Sequence, residues 1–398
     1  TAPNHYQVVS NGLKMEETNL ADGKKLTHWK QSVPIASWLY VLGVARFAMQ
    51  HVDDFQGKAI ETWVYWQDRE AGFYDFAEPT QKVLEFYSSY VGPFSYERLA
   101  NIQSNSVSGG MEAASAILYS DRSVSGTRSI RWRNVVIHEI AHQWFGNAVT
   151  EYDWDDVWLS EGFATYFTLL FIEHEYGRDE FVSGLKSSKK RVDNFYSKNP
   201  DYRIVHDNLN DMSKVTTGQT YQKGSWILHM LRGVVGTDNF WKGIQAYYAK
   251  YQDANATTTD FLREMEEASG MELDDFFDQL RREFFEALFD DDADPVEEVG
   301  MIARSADQGG ELLLKIFGRD DVLYGGSYLF DKFGPDGVKG FGPAEHGEGL
   351  AKLGFHDGCL ESLEGGVEIH RIDQGREVDS GESPTGEERV ATIFLLAH

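Results

Sequence analysis

Disulfide chemistry is the first thing the chain lacks: its single cysteine, Cys359, has no partner within the 398 residues, which fits a reducing compartment and leaves export open. Basic residues are scarce as well. Lysine and arginine number 37 against 64 acidic residues, a formal charge of -27, so a nucleic-acid backbone or an anionic lipid surface is repelled and no nucleic-acid partner is expected. Long apolar runs are also missing. The strongest, residues 38–49, is interrupted by Gly43 and Arg46 and falls short of the roughly 18 residues that span a bilayer, so no membrane span is expected and the chain reads as soluble. It opens Thr1-Ala2-Pro3, and no signal peptide is expected, for want of a basic and then an apolar region. Nothing decides between a cytoplasmic and an exported location, and nothing sets an oligomeric state.

What is present describes a folded protein. Apolar residues make up 41% and aromatic ones 14%, too rich a mix for disorder, and the length suggests two or three domains. Residues 1–50 alternate β-rich stretches with turn chemistry at Ser10-Asn11-Gly12 and Ala21-Asp22-Gly23, which predicts β-structure. Val83, Leu84, Tyr87, Tyr90 and Val91 fall at helical spacing, and Gly92-Pro93 ends the pattern. Periodic segments at 135–145, 156–176, 221–235, 240–251 and 259–269 make residues 130–290 mostly helical. Near residue 290 the composition turns. No tryptophan follows Trp241, and Asp290-Asp291-Asp292 introduces a Gly-rich, acidic stretch that reads as a linker and a turn-rich segment.

One short segment carries chemistry. In Ile137-His138-Glu139-Ile140-Ala141-His142 the two histidines are four apart, so on a helix they share a face and can hold one metal ion between them, with Glu139 on the neighbouring flank. A catalytic zinc takes three protein ligands and a water. The third ligand must come from elsewhere, and Glu161, in Ser160-Glu161-Gly162, is the candidate. A chance His-Glu-x-x-His is expected only about 0.03 times in a chain of this composition. The acidic stretch 151–156 between the two segments reads as a solvated loop, with Asn147, Asp155 and Asp156 as weaker candidates for orienting the imidazoles.

At these residues the sequence resembles the gluzincin zinc aminopeptidases, the family of aminopeptidase N and leukotriene hydrolase. The likeness continues through Gln143-Trp144-Phe145-Gly146-Asn147, through Gly109-Gly110-Met111-Glu112-Ala113, which is similar to the family's Gly-x-Met-Glu-Asn segment, and through Tyr221-Gln222-Lys223-Gly224, similar to its Tyr-x-Lys-Gly segment. It covers roughly residues 1–285. The resemblance implies an α+β protein with a mainly helical, thermolysin-like catalytic domain at 51–289. A remnant of a β-domain, its C-terminal part, precedes it at 1–50, and an unassigned Gly-rich acidic segment follows at 290–398. It further implies one Zn2+ held by His138, His142 and Glu161, and removal of N-terminal amino acids from peptides with a free N-terminus by attack of a zinc-bound water. In that scheme Glu139 is the general base, Tyr221 supports the oxyanion, Glu112 pairs with the substrate's α-ammonium, and Gly109, Gly110 and Met111 line the peptide backbone.

The pattern departs from the family at Ala113, where asparagine is usual, and in the final 110 residues, which resemble none of its domains. His346, His356, Cys359 and His370, in that region, read as unrelated surface residues. Two rival readings stand beside the aminopeptidase: a truncated, non-catalytic remnant that binds zinc or peptide, and an endopeptidase on the same scaffold.

Overall fold

The computed structural model describes residues 1–199, 202–205, 217–282, 300–305, 312–317 and 393–394. It is a mixed helix and sheet protein. The N-terminal part carries β1 (Ala2–Pro3), β2 (Gln7–Ser10), β3 (Leu13–Asn19), β4 (Lys24–Lys30) and β5 (Val41–Ala45). β3 and β1 flank β4 in one antiparallel sheet, and β2 pairs with β5 in a second. The β-structure expected for residues 1–50 is thus in place, but the last part of that stretch already belongs to a larger sheet.

That sheet is formed by β6 (Phe47–Phe55), β7 (Lys58–Tyr65), β8 (Arg98–Ser104), β9 (Gly110–Met111) and β10 (Ala116–Ser120) in the order β6-β7-β8-β10-β9. β7, β8 and β10 run parallel, while β6 and β9 are antiparallel edges. Parallel neighbours need a crossover, and β7 reaches β8 through α1 (Arg69–Phe76) and α2 (Thr80–Tyr90). Both faces of the sheet are covered. Ile60, Val64, Leu99, Ile117 and Tyr119 face the main core, while Trp63, Ala100, Ile102, Ala116 and Leu118 face a smaller one shared with Val9, Val41 and Ala45. Every residue of β8 and β10 is buried, as in strands packed on both sides.

A buried arginine ties the N-terminal strands to this sheet. Arg98 on β8 donates to the carbonyls of Gly12 and Ser10, bonds Glu61 of β7 at 2.8 Å, and lies over the Trp29 ring at 4.5 Å.

The helices follow: α3 (Ile130–Ala141), then β11 (Val149–Glu151), α4 (Trp158–Tyr176), α5 (Arg178–Tyr196), α6 (Gly218–Val235), α7 (Thr237–Tyr251), β12 (Ala254–Ala256), α8 (Thr258–Ser269) and α9 (Asp274–Arg282). β11 and β12 pair in parallel. Capping explains two of the starts. Thr217 and Thr220 form a capping box that begins α6 three residues before the expected Tyr221, and Thr257 and Asp260 do the same for α8. α3 ends at Ala141 rather than at Phe145, because residues 142–145 turn into Gly146, whose φ of +106° suits glycine.

Among the described residues, 1–301 with Phe317 and 393–394 make one compact unit and Ile302–Ile316 a second. β13 (Gly300–Ser305) and β14 (Leu312–Phe317) pair as a two-stranded sheet, and β15 (Ile393–Phe394) pairs with β5. Most of the Gly-rich segment, with His346, His356, Cys359 and His370, lies outside the described residues. No described helix is long and apolar enough to cross a membrane.

Candidate metal centre

The last turn of α3 and its capping residue present His138 and His142 one turn apart, and α4 brings Glu161 from its first turn to face them. The two Nε2 atoms lie 3.1 Å apart, and Glu161 Oε2 stands 3.3 Å from His138 Nε2 and 3.2 Å from His142 Nε2. An ion bound tetrahedrally with bonds of 2.0–2.1 Å holds its ligands about 3.3 Å apart. The three donors therefore already stand at the corners such an ion requires. Among the described residues they are the only group of three that meets this test.

The rings are aimed by their other contacts. His142 Nδ1 lies 3.0 Å from the Phe145 carbonyl and 3.1 Å from Ser160 Oγ. With the Nδ1 proton donated to that carbonyl, the Nε2 lone pair is left for a metal. Gly146 makes room for this: a Cβ there would sit 2.2 Å from Ser160 Oγ and 3.1 Å from His142 Nδ1. His138 stacks on the Tyr221 ring, centroids 5.9 Å apart. α6 crosses α4 at Gly224 and Gly162, and Tyr221 Oη donates to Glu161 Oε1 at 2.7 Å. Burial, reinforced by the Glu161 charge, holds the Tyr221 phenol well above its ordinary pKa, so it stays a hydrogen-bond donor.

Glu139 is buried and packs against the edge strand β9. A Cβ on Gly110 would sit 2.2 Å from Glu139 Oε1, so only glycine admits the carboxylate at this place. The Glu112 carbonyl, just beyond β9, accepts from Gln143 Nε2 at 3.0 Å and Asn147 Nδ2 at 2.6 Å. Gln143 Oε1 in turn takes the Ser115 N–H at 2.9 Å. Ala113, fully buried, fills the departing position without a polar group. Gly109, Gly110 and Met111 lie at the edge of the five-stranded sheet, paired on one side with β10.

Four carboxylates crowd this space. Burial raises the pKa of Glu139 well above the ordinary carboxylate value, helped by the neighbouring Glu112 charge, and burial raises Glu112 too. Burial alone would raise Glu161 and lower His142. Without an ion, the attraction between the two reverses both, holding Glu161 below the carboxylate range and pushing His142 up to about 10, so a metal that binds at His142 Nε2 displaces a proton there. His138 is lowered, chiefly by burial. The fourth, Glu151, was expected in a solvated loop. It is instead the last residue of β11, 6% exposed, with neither carboxylate oxygen hydrogen-bonded among the described residues. Burial, then the charges of Glu112 and Glu161, push its pKa up to about 8. Asp155 and Asp156 are buried as well, and Asp156 accepts from Thr258 on α8. Such an excess of buried carboxylate over imidazole favours cations, both a metal and an ammonium.

The sequence reading brought together His138, Glu139, His142, Glu161, Tyr221, Glu112 and the β9 glycines. It missed Ser160, the Phe145 carbonyl and the burial of Glu151, which only the fold reveals, and Gln143, whose place in the matching segment was the available signal.

Residues 76–280 match the family model for the peptidase family M1 domain. Human glutamyl aminopeptidase is 30% identical over 296 residues, covering 71% of this chain and 31% of that protein. A probable aminopeptidase 2 of Sulfurisphaera tokodaii is 30% identical over 277 residues, covering 66% and 35%. A crystal structure of the M1 zinc metallopeptidase from Deinococcus radiodurans superposes with a TM-score of 0.57 at 25% identity, covering 68% of this chain and 59% of that one. The chain spans about a third of the length of the curated relatives it matches.

Proposed function

Because the chain belongs to peptidase family M1, we propose that it is a zinc-dependent aminopeptidase whose zinc is held by His138, His142 and Glu161. The observation that carries this reading is the placing of Glu112. Its carbonyl is clamped by Gln143 and Asn147, and its carboxylate is within electrostatic reach of His142 and Glu161, so a substrate ammonium paired there lies in the neighbourhood of the metal donors. That recognises a free N-terminus.

Zinc bound at this centre would supply Lewis acidity toward the scissile carbonyl and acidify a water. The chain's own groups do the rest. Glu139, on the flank of the metal face of α3, takes the proton of the attacking water and returns it to the leaving amine. Tyr221 donates its phenolic hydrogen bond to the developing oxyanion. The edge of β9 offers backbone to the substrate as an added strand. Residues 51–289 then read as the thermolysin-like catalytic domain, with 1–50 as the end of a β-domain and 290–398 unassigned.

The test is the purified chain with its metal content measured, assayed on aminoacyl-arylamides. One zinc per chain, activity lost to a chelator and restored by zinc, and no cleavage of N-acetylated substrates are expected. Cleavage of blocked peptides would make it an endopeptidase, and zinc without turnover a binding remnant.

A further inference from the structure

At the far end of α4 from Glu161, about 22 Å along the helix at 1.5 Å per residue, a cleft of about 210 Å³ opens between the α1–α2 turn, the start of α3 and Tyr176. We infer that this cleft is a binding site for a small organic carboxylate with an aromatic or branched apolar body, separate from the metal centre.

Arg133 is the first reason. Its guanidinium lies over the Tyr176 ring at 3.8 Å, and its Nε and one terminal nitrogen both bond the neutral Asn134 Oδ1 at 3.1 Å. Among the described residues no carboxylate pairs with it. The acids of the cleft are committed elsewhere. Asp75 accepts the backbone N–H groups of Ser125, Gly126 and Arg128 at 2.6, 2.7 and 2.8 Å, and Glu78 pairs with Arg128 at 3.1 Å. A guanidinium stacked on an aromatic ring and left without a counter-charge is suited to a planar carboxylate.

Ser123 is the second. It lines the same cleft, is 2% exposed, and its hydroxyl is buried without a partner among the described residues. A buried hydroxyl of this kind calls for an acceptor. The start of α3 adds to both: Ser129 lines the cleft and makes no side-chain cap, which leaves first-turn N–H groups available for an anion. The remaining wall is apolar, from Phe76, Pro79, Trp132 and Val136. A guanidinium together with an apolar wall favours an anion with an apolar body over free phosphate.

The experiment titrates benzoate, and benzamide as its neutral isostere, into the zinc-loaded and metal-free full chain by saturation-transfer NMR. Benzoate is expected to bind both forms with a Kd of about 1 mM and benzamide at least about tenfold more weakly. Arg133→Gln should remove the preference for benzoate, Arg133→Lys should retain part of it, and Ser123→Ala should weaken benzoate several-fold. Thermal melting confirms that each variant is folded. Binding only to the zinc-loaded chain would place benzoate on the metal and overturn the inference. Equal affinity for benzamide, or benzoate binding unchanged in Arg133→Gln, would do the same. None of these outcomes depends on turnover, so they remain readable whether or not the chain is an aminopeptidase.

Discussion

Gly162 and Gly224 meet backbone to backbone: a Cβ on either would stand 2.7 Å from the Cα of the other. Gly162 follows the third metal donor and Gly224 lies three residues after Tyr221, so this crossing is what lets Tyr221 reach Glu161. Because the obstacle is backbone, an added methyl can be accommodated only by moving α4 and α6 apart. Gly224→Ala is expected to fold, alanine being the better helix former by about 1 kcal/mol, but to lose about tenfold or more in kcat as the phenol leaves its place. Full turnover in that variant, measured on an aminoacyl-arylamide, would show that the crossing does not position Tyr221.

Glu139→Gln keeps the size of the side chain and leaves the metal donors untouched. It is expected to retain one zinc per chain while kcat falls about 10²–10⁴-fold, the range of a positioned acid–base group. Metal analysis beside a turnover assay decides it. Loss of zinc would assign Glu139 to the integrity of the site instead.

Gly110→Ala tests the same carboxylate from the other side. Its Cβ would meet Glu139 Oε1 at 2.2 Å, so Glu139 must turn away or β9 must shift. The expected outcome is a fall in kcat with zinc content and melting temperature near those of the parent. A variant with parental kcat means that Glu139 works from some other rotamer.

Tyr221→Phe removes a hydrogen bond that strengthens as charge develops on the substrate oxygen. A loss of about 10²–10³-fold in kcat with little change in KM is expected. A rise in KM alone would mark Tyr221 as a substrate contact only.

Glu151 sets a pH dependence of stability. Its folded pKa of about 8 lies above the ordinary 4.5, so between those values the folded chain keeps a proton that the unfolded chain has lost. Stability from this group is therefore full below about pH 4.5 and declines as pH rises toward 8, by a few kcal/mol in order of magnitude. Glu151→Gln should flatten that decline in melts from pH 5 to 8. Parallel curves for parent and variant would mean the carboxylate is ionised throughout.

The site was more legible in the sequence than the sheet that supports it. His138, His142 and Glu139 announce themselves because helical spacing is local, and α2 followed from the spacing of Val83, Leu84 and Tyr87. β8 and β10 gave no such sign. With residues buried on both faces, they lack the alternation that marks a half-exposed strand, and their partners lie across crossovers. α5 escaped notice too, its charged surface diluting the periodic face. Glu151 was misjudged for a related reason: an acidic run looks solvated until strand pairing with β12 encloses it.

Arg98 has a bearing on how separable the N-terminal strands are. Its guanidinium spans three chain segments that are far apart in sequence, so the first fifty residues are not a freely exchangeable module. A chimera that grafts the corresponding piece of a relative onto this catalytic core must bring the carbonyls of residues 10 and 12 and an aromatic ring at position 29 to Arg98. Otherwise it strands a buried cation at the seam.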